Sequence, residues 1–188
     1  MRKRAIILAA AAALALVGCG DHNLVLRVDV LSYLDPGMRS ASFGPIPAMP
    51  GGLVTGEQAL VDDETVNLVN GLSGVAEVED VELTMSVITR DSTGAGVDTL
   101  RLYASDGDTH PLATGPVLQQ VVTLSPGRTD TTSVTVSGNR RLADLFVQQR
   151  MRISVTSSGR GPESGDALNG SVELSKLEAV VIAGRKPL

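Results

Sequence analysis

The 188-residue sequence holds one cysteine, no tryptophan, two tyrosines, two phenylalanines and two histidines. A single thiol cannot close a disulfide within the chain. Aromatics at 2% of residues give neither a stacking platform for sugars nor one for the bases of single-stranded nucleic acid. Positive charge is short as well, with 16 Lys and Arg against 21 Asp and Glu, a balance that repels phosphate backbones. The two histidines, His22 and His110, restrict any Ser-His-Asp hydrolase to His110, and no G-x-S-x-G stretch presents a nucleophile. The nearest string, GLSGV at residues 71–75, reads as a turn. The longest apolar run, Ala5 to Val17, is shorter than the roughly 20 residues that a transmembrane helix needs.

What is present points to a folded domain. Hydrophobic residues make up 43% and charged residues 20%, the balance of a globular protein with one core. With so few aromatics that core must be built mainly from Val, Leu, Ile and Ala.

The N-terminus reads as a secretory signal. Met1-Arg-Lys-Arg4 is a positive n-region, and Ala5 to Val17 has the build of an h-region. Leu16, Val17, Gly18 and Cys19 follow in order. This stretch resembles the lipobox of bacterial lipoproteins, and the resemblance covers residues 1–19 only. It implies cleavage between Gly18 and Cys19, diacylglycerol on the Cys19 sulfur, and a further fatty chain such as palmitate on the new amino terminus. Two or more chains hold a protein firmly at about 0.8 kcal/mol per buried CH₂, where one holds only marginally. Taking Arg2, Lys3 and Arg4 from the 16 basic residues leaves 13 against 21 acids, so the mature chain carries about −8. In lipoproteins of the enteric type, Asp directly after the lipidated Cys favours inner-membrane retention. Here Gly20 stands there, which leans toward the outer membrane. Residues 19–23 then form the lipidated Cys and a tether of four residues, reaching roughly 14 Å at most.

From residue 24 the dominant period is two. Leu24, Leu26, Val28 and Val30 alternate with Val25, Arg27, Asp29 and Leu31; Val81 to Ile88, Thr99 to Ala104 and Arg150 to Val155 repeat the pattern. Further strands are expected at 65–69, 117–124, 133–136, 170–174 and 177–182. Turns fall at Asn70-Gly71, Ser92-Thr-Gly94, Ser125-Pro-Gly127, Ser137-Gly-Asn139 and Ser158-Gly159. One segment differs: Arg140 to Gln149 carries helical spacing, with Asn139 placed as its N-cap. The expected fold is all-β, an antiparallel β-sandwich of Ig-like or jelly-roll kind with one short helix, in a single domain over 24–188. A long Pro/Gly-rich loop is expected at 35–52, with four of the nine prolines.

The candidate sites follow from residue type and spacing. Phe43, Ile46 and Met49 lie on the proline-stiffened loop, able either to reach a partner or to fold back over the sandwich. Asp106, Asp108 and His110 project to one side if extended, a weak metal site, and the stretch reads first as turn chemistry. Asp62, Asp63 and Glu64 are a weak calcium candidate that reads first as a charged turn, and Arg140, Arg141, Arg150 and Arg152 form a basic cluster. No catalytic residue, metal site or cofactor is assigned. The sequence therefore leads to a non-catalytic envelope lipoprotein, held to the membrane by lipid and contacting an envelope protein. The alternatives are a module binding a small ligand, carbohydrate or cation, and then a hydrolase.

Overall fold

The computed structural model describes residues 24–67, 76–148 and 150–185. Gly18, Cys19, His22, the Asn70-Gly71 turn, GLSGV and Gln149 lie outside the described residues. No helix among the described residues is long and apolar enough to cross a membrane.

Among the described residues nine strands and one α-helix follow in order: β1 Leu24–Asp29, β2 Ser40–Ile46, β3 Gln58–Asn67, β4 Ala76–Thr93, β5 Gly96–Asp106, β6 Leu118–Leu124, β7 Thr129–Val136, α1 Arg140–Phe146, β8 Arg150–Arg160 and β9 Leu168–Arg185. They form two antiparallel sheets. One runs β1-β9-β4-β7, with β2 also on β9; the other runs β3-β8-β5-β6. The fold is the expected antiparallel β-sandwich. Its core is aliphatic: Val81, Leu83, Met85 and Val87 of β4 and Val172, Leu174, Leu177 and Val181 of β9 face Leu100 and Leu102 of β5 and Ile153 and Val155 of β8. Alternation along each strand puts one face in this core and the other toward water.

The turn chemistry holds at three sites. Arg128 N–H donates to Ser125 O at 3.2 Å and Gly127 has φ +70°, as the Pro-Gly corner of a type II turn requires. Gly94 closes the β4–β5 hairpin at φ +74°. Asn139 Oδ1 accepts from Leu142 N–H at 3.3 Å and caps α1.

Elsewhere the structure corrects the reading. The segments 170–174 and 177–182 are one strand of 18 residues. Leu174 and Leu177 are both buried, a spacing of three that mimics a boundary. The cause is a bulge: Ser86 pairs with Lys176 and Val87 with Leu174, leaving Ser175 as the extra residue. Glu79 plays the same part in β4, between Val78 and Asp80, so that strand begins at Ala76 rather than Val81. The stretch 35–52 is not all loop, because Ser40–Ile46 pairs with β9. Ser158-Gly159 is not a turn. Gly159 lies within β8, and a Cβ there would sit 2.8 Å from Ile46 Cδ1, so the glycine admits a close neighbour. Helix α1 stops at Phe146.

The register fixes two poles. Leu24 pairs with Ala183, which also pairs with Val78, so β1 enters at the end where β4 begins and β9 finishes. The β4–β5 hairpin, the β6–β7 turn and the start of β9 lie at the other end. The residues from Leu168 to Ala183 separate these poles by about 50 Å at the usual strand rise.

Candidate functional site

At the Leu24 pole, β5 ends in Asp106 and the chain turns through Gly107, Asp108, Thr109 and His110. Asp106 Oδ1 accepts from Thr109 N–H at 2.8 Å and Asp108 N–H at 3.2 Å, an Asx turn that replaces the extended arrangement. Hydrogen bonds from Thr109, hydroxyl and N–H, and from Asp108 N–H hold the Asp106 carboxyl below the usual carboxylate range. His110 Nδ1 accepts from Leu112 N–H at 3.3 Å, capping a 3-10 turn at Pro111–Ala113. That bond places the proton of the neutral ring on Nε2, which lies 3.7 Å from Asp63 Oδ2.

Asp63 is a residue whose role the sequence did not disclose. It sits at a register shift of β3 with φ +52°, and its N–H donates to Ser154 Oγ at 3.0 Å. Its carboxylate takes both arms of Arg152, with Nε on Oδ1 at 2.6 Å and Nη2 on Oδ2. The acidic run 62–64 is thus not a turn but part of β3, and one of its residues meets one of the basic cluster and the histidine on one face. The signal available beforehand was only that an acid in the 62–64 run needs a partner if it is half-buried. Beside them Asp106, Gly107, Asp108, Gln148 and Arg150 line an open groove of about 410 Å³.

This arrangement limits the chemistry. Ser154 is buried and accepts the Asp63 N–H, and among the described residues no hydroxyl bonds to His110. Nor do three His, Cys, Asp or Glu side chains among the described residues gather as metal ligands. The basic cluster is divided: Arg152 is held by Asp63, and Arg141 donates to Ala104 O at 2.7 Å and Gly115 O at 3.1 Å, pinning α1 to the sheet. Arg140 lines a second groove, of about 590 Å³, among Glu77, Glu79, Asp80 and Asp144.

The segment from Phe43 to Met49 divides too. Ile46 is buried at 2% exposure, and Cβ atoms on Gly159 and Gly161 would lie 2.8 and 2.7 Å from it, so it offers a partner no surface. Phe43 is half-buried over Gly170 and packs on the core. Met49 is 42% exposed. It belongs to a strap that continues through Leu53, at 39%, and Val54, at 62%. Backbone bonds tie this strap down: Met49 N–H to Pro162 O at 3.0 Å, Gly161 N–H to Leu53 O at 2.8 Å and Thr55 N–H to Gly159 O at 2.8 Å. It lies at the pole opposite Leu24.

Near that far pole, Asp91 is buried at 6% exposure, and neither carboxylate oxygen has a well-formed hydrogen bond; the Thr93 N–H lies nearby in poor geometry. Burial pushes its carboxyl above the usual range, and the Thr93 N–H only partly offsets this. A raised folded value means that stability from this group is fullest below the unfolded value and is lost as pH rises through the folded one. Asp91→Asn is therefore expected to stabilise the fold near pH 7 by up to about 1 kcal/mol, with the gain vanishing in acid. Urea unfolding at both pH values checks this, and equal effects at the two would refute it.

No family model matches the chain, and no curated protein does. Solved structures with a similar chain course include infectious bursal disease virus Gx strain, at TM-score 0.41 and 11% identity over 88% of this chain and 34% of that one. Dimeric latent PorU from Porphyromonas gingivalis gives 0.41 and 10% over 87% of this chain and 13% of that one. The coat protein of Tobacco streak virus gives 0.25 and 11% over 92% and 94%. This chain spans about a third of the length of the bursal disease virus chain.

Proposed function

We propose that this chain is a lipid-anchored lipoprotein of the bacterial envelope whose β-sandwich is a non-catalytic interaction or structural module, contacting an envelope protein. The observation that carries the protein-contact part is the far-pole strap, where Met49, Leu53 and Val54 stand exposed on hydrogen-bonded backbone. Apolar side chains already fixed in place lose little entropy on binding, and a group of them marks a contact surface. The lipobox-like Leu16 to Cys19 supports the anchor, and Gly20 favours the outer membrane. Held at Cys19, the domain would turn its Leu24 pole to the lipid and its strap away from it. The acidic balance speaks against nucleic acid.

A second reading, a module for a small polar ligand, carbohydrate or cation, draws on the groove of about 410 Å³ beside Asp106, Asp108 and Arg150. A hydrolase draws on less, because His110 has its Nδ1 engaged by backbone.

Cys19→Ser is expected to move the protein from the membrane fraction into the soluble one; continued sedimentation with membranes would remove the anchor from the proposal. The triple change Met49→Asp, Leu53→Asp, Val54→Asp is expected to leave fractionation and melting temperature unchanged and to abolish in-cell crosslinks. Crosslinks that persist in the folded variant would remove the strap.

A further inference from the structure

The edges of the two sheets are not treated alike. β1 is short and carries Arg27 and Asp29. β2 is broken between Phe43 and Ile46, with Pro45 inside it. β3 has two register shifts and three consecutive acids. In β6, Gln120 Nε2 donates to Val121 O at 2.9 Å, covering a carbonyl of its own strand. Those of β1, β2 and β3 are devices by which proteins blunt an unpaired strand edge, whereas β6, like β7, pairs without a register shift.

β7 has one of them, the single charge of Asp130 on its inner row. Its eight residues, TDTTSVTV, include no proline, lysine, arginine or glycine, and it pairs with β4 without a register shift. It ends the sheet order, so its second side meets no strand among the described residues. The inner row is half-finished too: Val134 and Val136 pack against the core and stay only partly buried.

We infer that β7 pairs with β7 of a second copy of this chain, in antiparallel register about Ser133, joining the two β7-containing sheets into one. The strand's own charge pattern selects this occupant. Asp130 is its one charged residue, and in this register it faces Val136 of the other copy. The two Asp130 carboxylates then stand about 20 Å apart along the strands, so no like charges meet. Thr132 falls opposite Val134, continuing the inner row, and Thr131 opposite Thr135. The Ser133 pair on the axis extends the hydroxyl ladder that Ser86 and Ser133 already form at 2.7 Å. A basic extended segment from an unrelated protein would need to match Asp130 alone, whereas a second copy sets inner row against inner row and hydroxyl against hydroxyl, with no like charges opposed.

Antiparallel pairing sets the two Leu24 poles at opposite ends. Anchored chains would therefore pair across two facing lipid surfaces rather than within one leaflet. The pairing does not rest on the anchor, and it is read by mass, not by fractionation.

The test is analytical ultracentrifugation of the intact protein in mild detergent, up to about 100 µM, a range that detects modest affinities. The wild type is expected to sediment as a two-chain species. Thr131→Lys with Thr135→Lys puts lysines opposite one another twice in the pair and should weaken association at least about tenfold. Both sites are exposed in the single chain, so folding by circular dichroism should be unchanged. Thr131→Lys with Thr135→Glu puts opposite charges across the same axis and should restore pairing. A single-chain wild type at the highest concentration would overturn the inference and leave an extended segment of another protein as the occupant. Pairing insensitive to the double lysine, or not restored by the Lys/Glu combination, would overturn it as well.

Discussion

Asp98→Ala is expected to lower the free energy of unfolding by about 3 kcal/mol at pH 7. Asp98 has no exposed surface, and its carboxylate lies inside the sandwich on β5. Ser157 Oγ donates to it at 2.8 and 3.0 Å, and the N–H groups of Thr99 and Ser158 also donate to it. Alanine removes the acceptor and leaves the buried Ser157 hydroxyl without it in an apolar surrounding. Each unsatisfied buried group costs roughly 1–3 kcal/mol, which outweighs the relief of no longer burying a charge. That relief exists, since desolvation pushes the Asp98 carboxyl above its usual range despite the opposing hydrogen bonds and Arg101. With the folded value raised, its contribution to stability is complete below the unfolded value and declines as pH rises through the folded one. The wild type should thus carry a titration step that Asp98→Ala lacks. The alanine variant's deficit should be larger in mild acid than at pH 7. Urea unfolding at the two conditions measures both; a loss below 1 kcal/mol at pH 7, or a deficit independent of pH, would refute the account.

Gly170→Ala is expected to cost about 3 kcal/mol although it adds only one methyl group. Gly170 pairs with Phe43 on one side and Asp91 on the other. A Cβ there would lie 2.5 Å from Arg90 O and 2.6 Å from Phe43 Cζ. The ring can swing aside, but the carbonyl belongs to the strand ladder and cannot. Adding Phe43→Ala should therefore recover only part of the loss in a double-mutant cycle. Full recovery would mean that the ring alone reads the glycine; no loss at all would mean that the close packing is absent. Gly159 invites the contrast, because its near neighbour is the flexible end of Ile46, and alanine there should cost much less.

These glycines show where the sequence stops being legible. Gly94 and Gly127 announce turns because their neighbours, Ser-Thr and Ser-Pro, are turn chemistry that acts locally. Gly159 and Gly170 look no different in the sequence, yet each answers to a side chain more than a hundred residues away. The long strands were obscured in the same way. Period-two alternation identifies a strand only until a bulge shifts its phase, and Ser175 and Glu79 each do so. β2 was hidden by Gly44 and Pro45, which break its pattern while the partner strand still holds it. At the candidate site, the Asp106 turn was readable from Asp-Gly-Asp. The meeting of Asp63, His110 and Arg152 was not, since Asp63 and Arg152 lie 89 positions apart.

By itself the sequence determined the local terms: strands facing water on one side, a capped short helix, turns at Pro-Gly and Ser-Thr-Gly, and an aliphatic core. Each depends on residues within a few positions of one another, where backbone preference and side-chain period act directly. Only the tertiary structure decided which edge was left open, which loop side chains turned inward and which charges met. Those outcomes belong to contacts between distant segments, and such contacts are set by how two sheets pack rather than by any residue's neighbours along the chain.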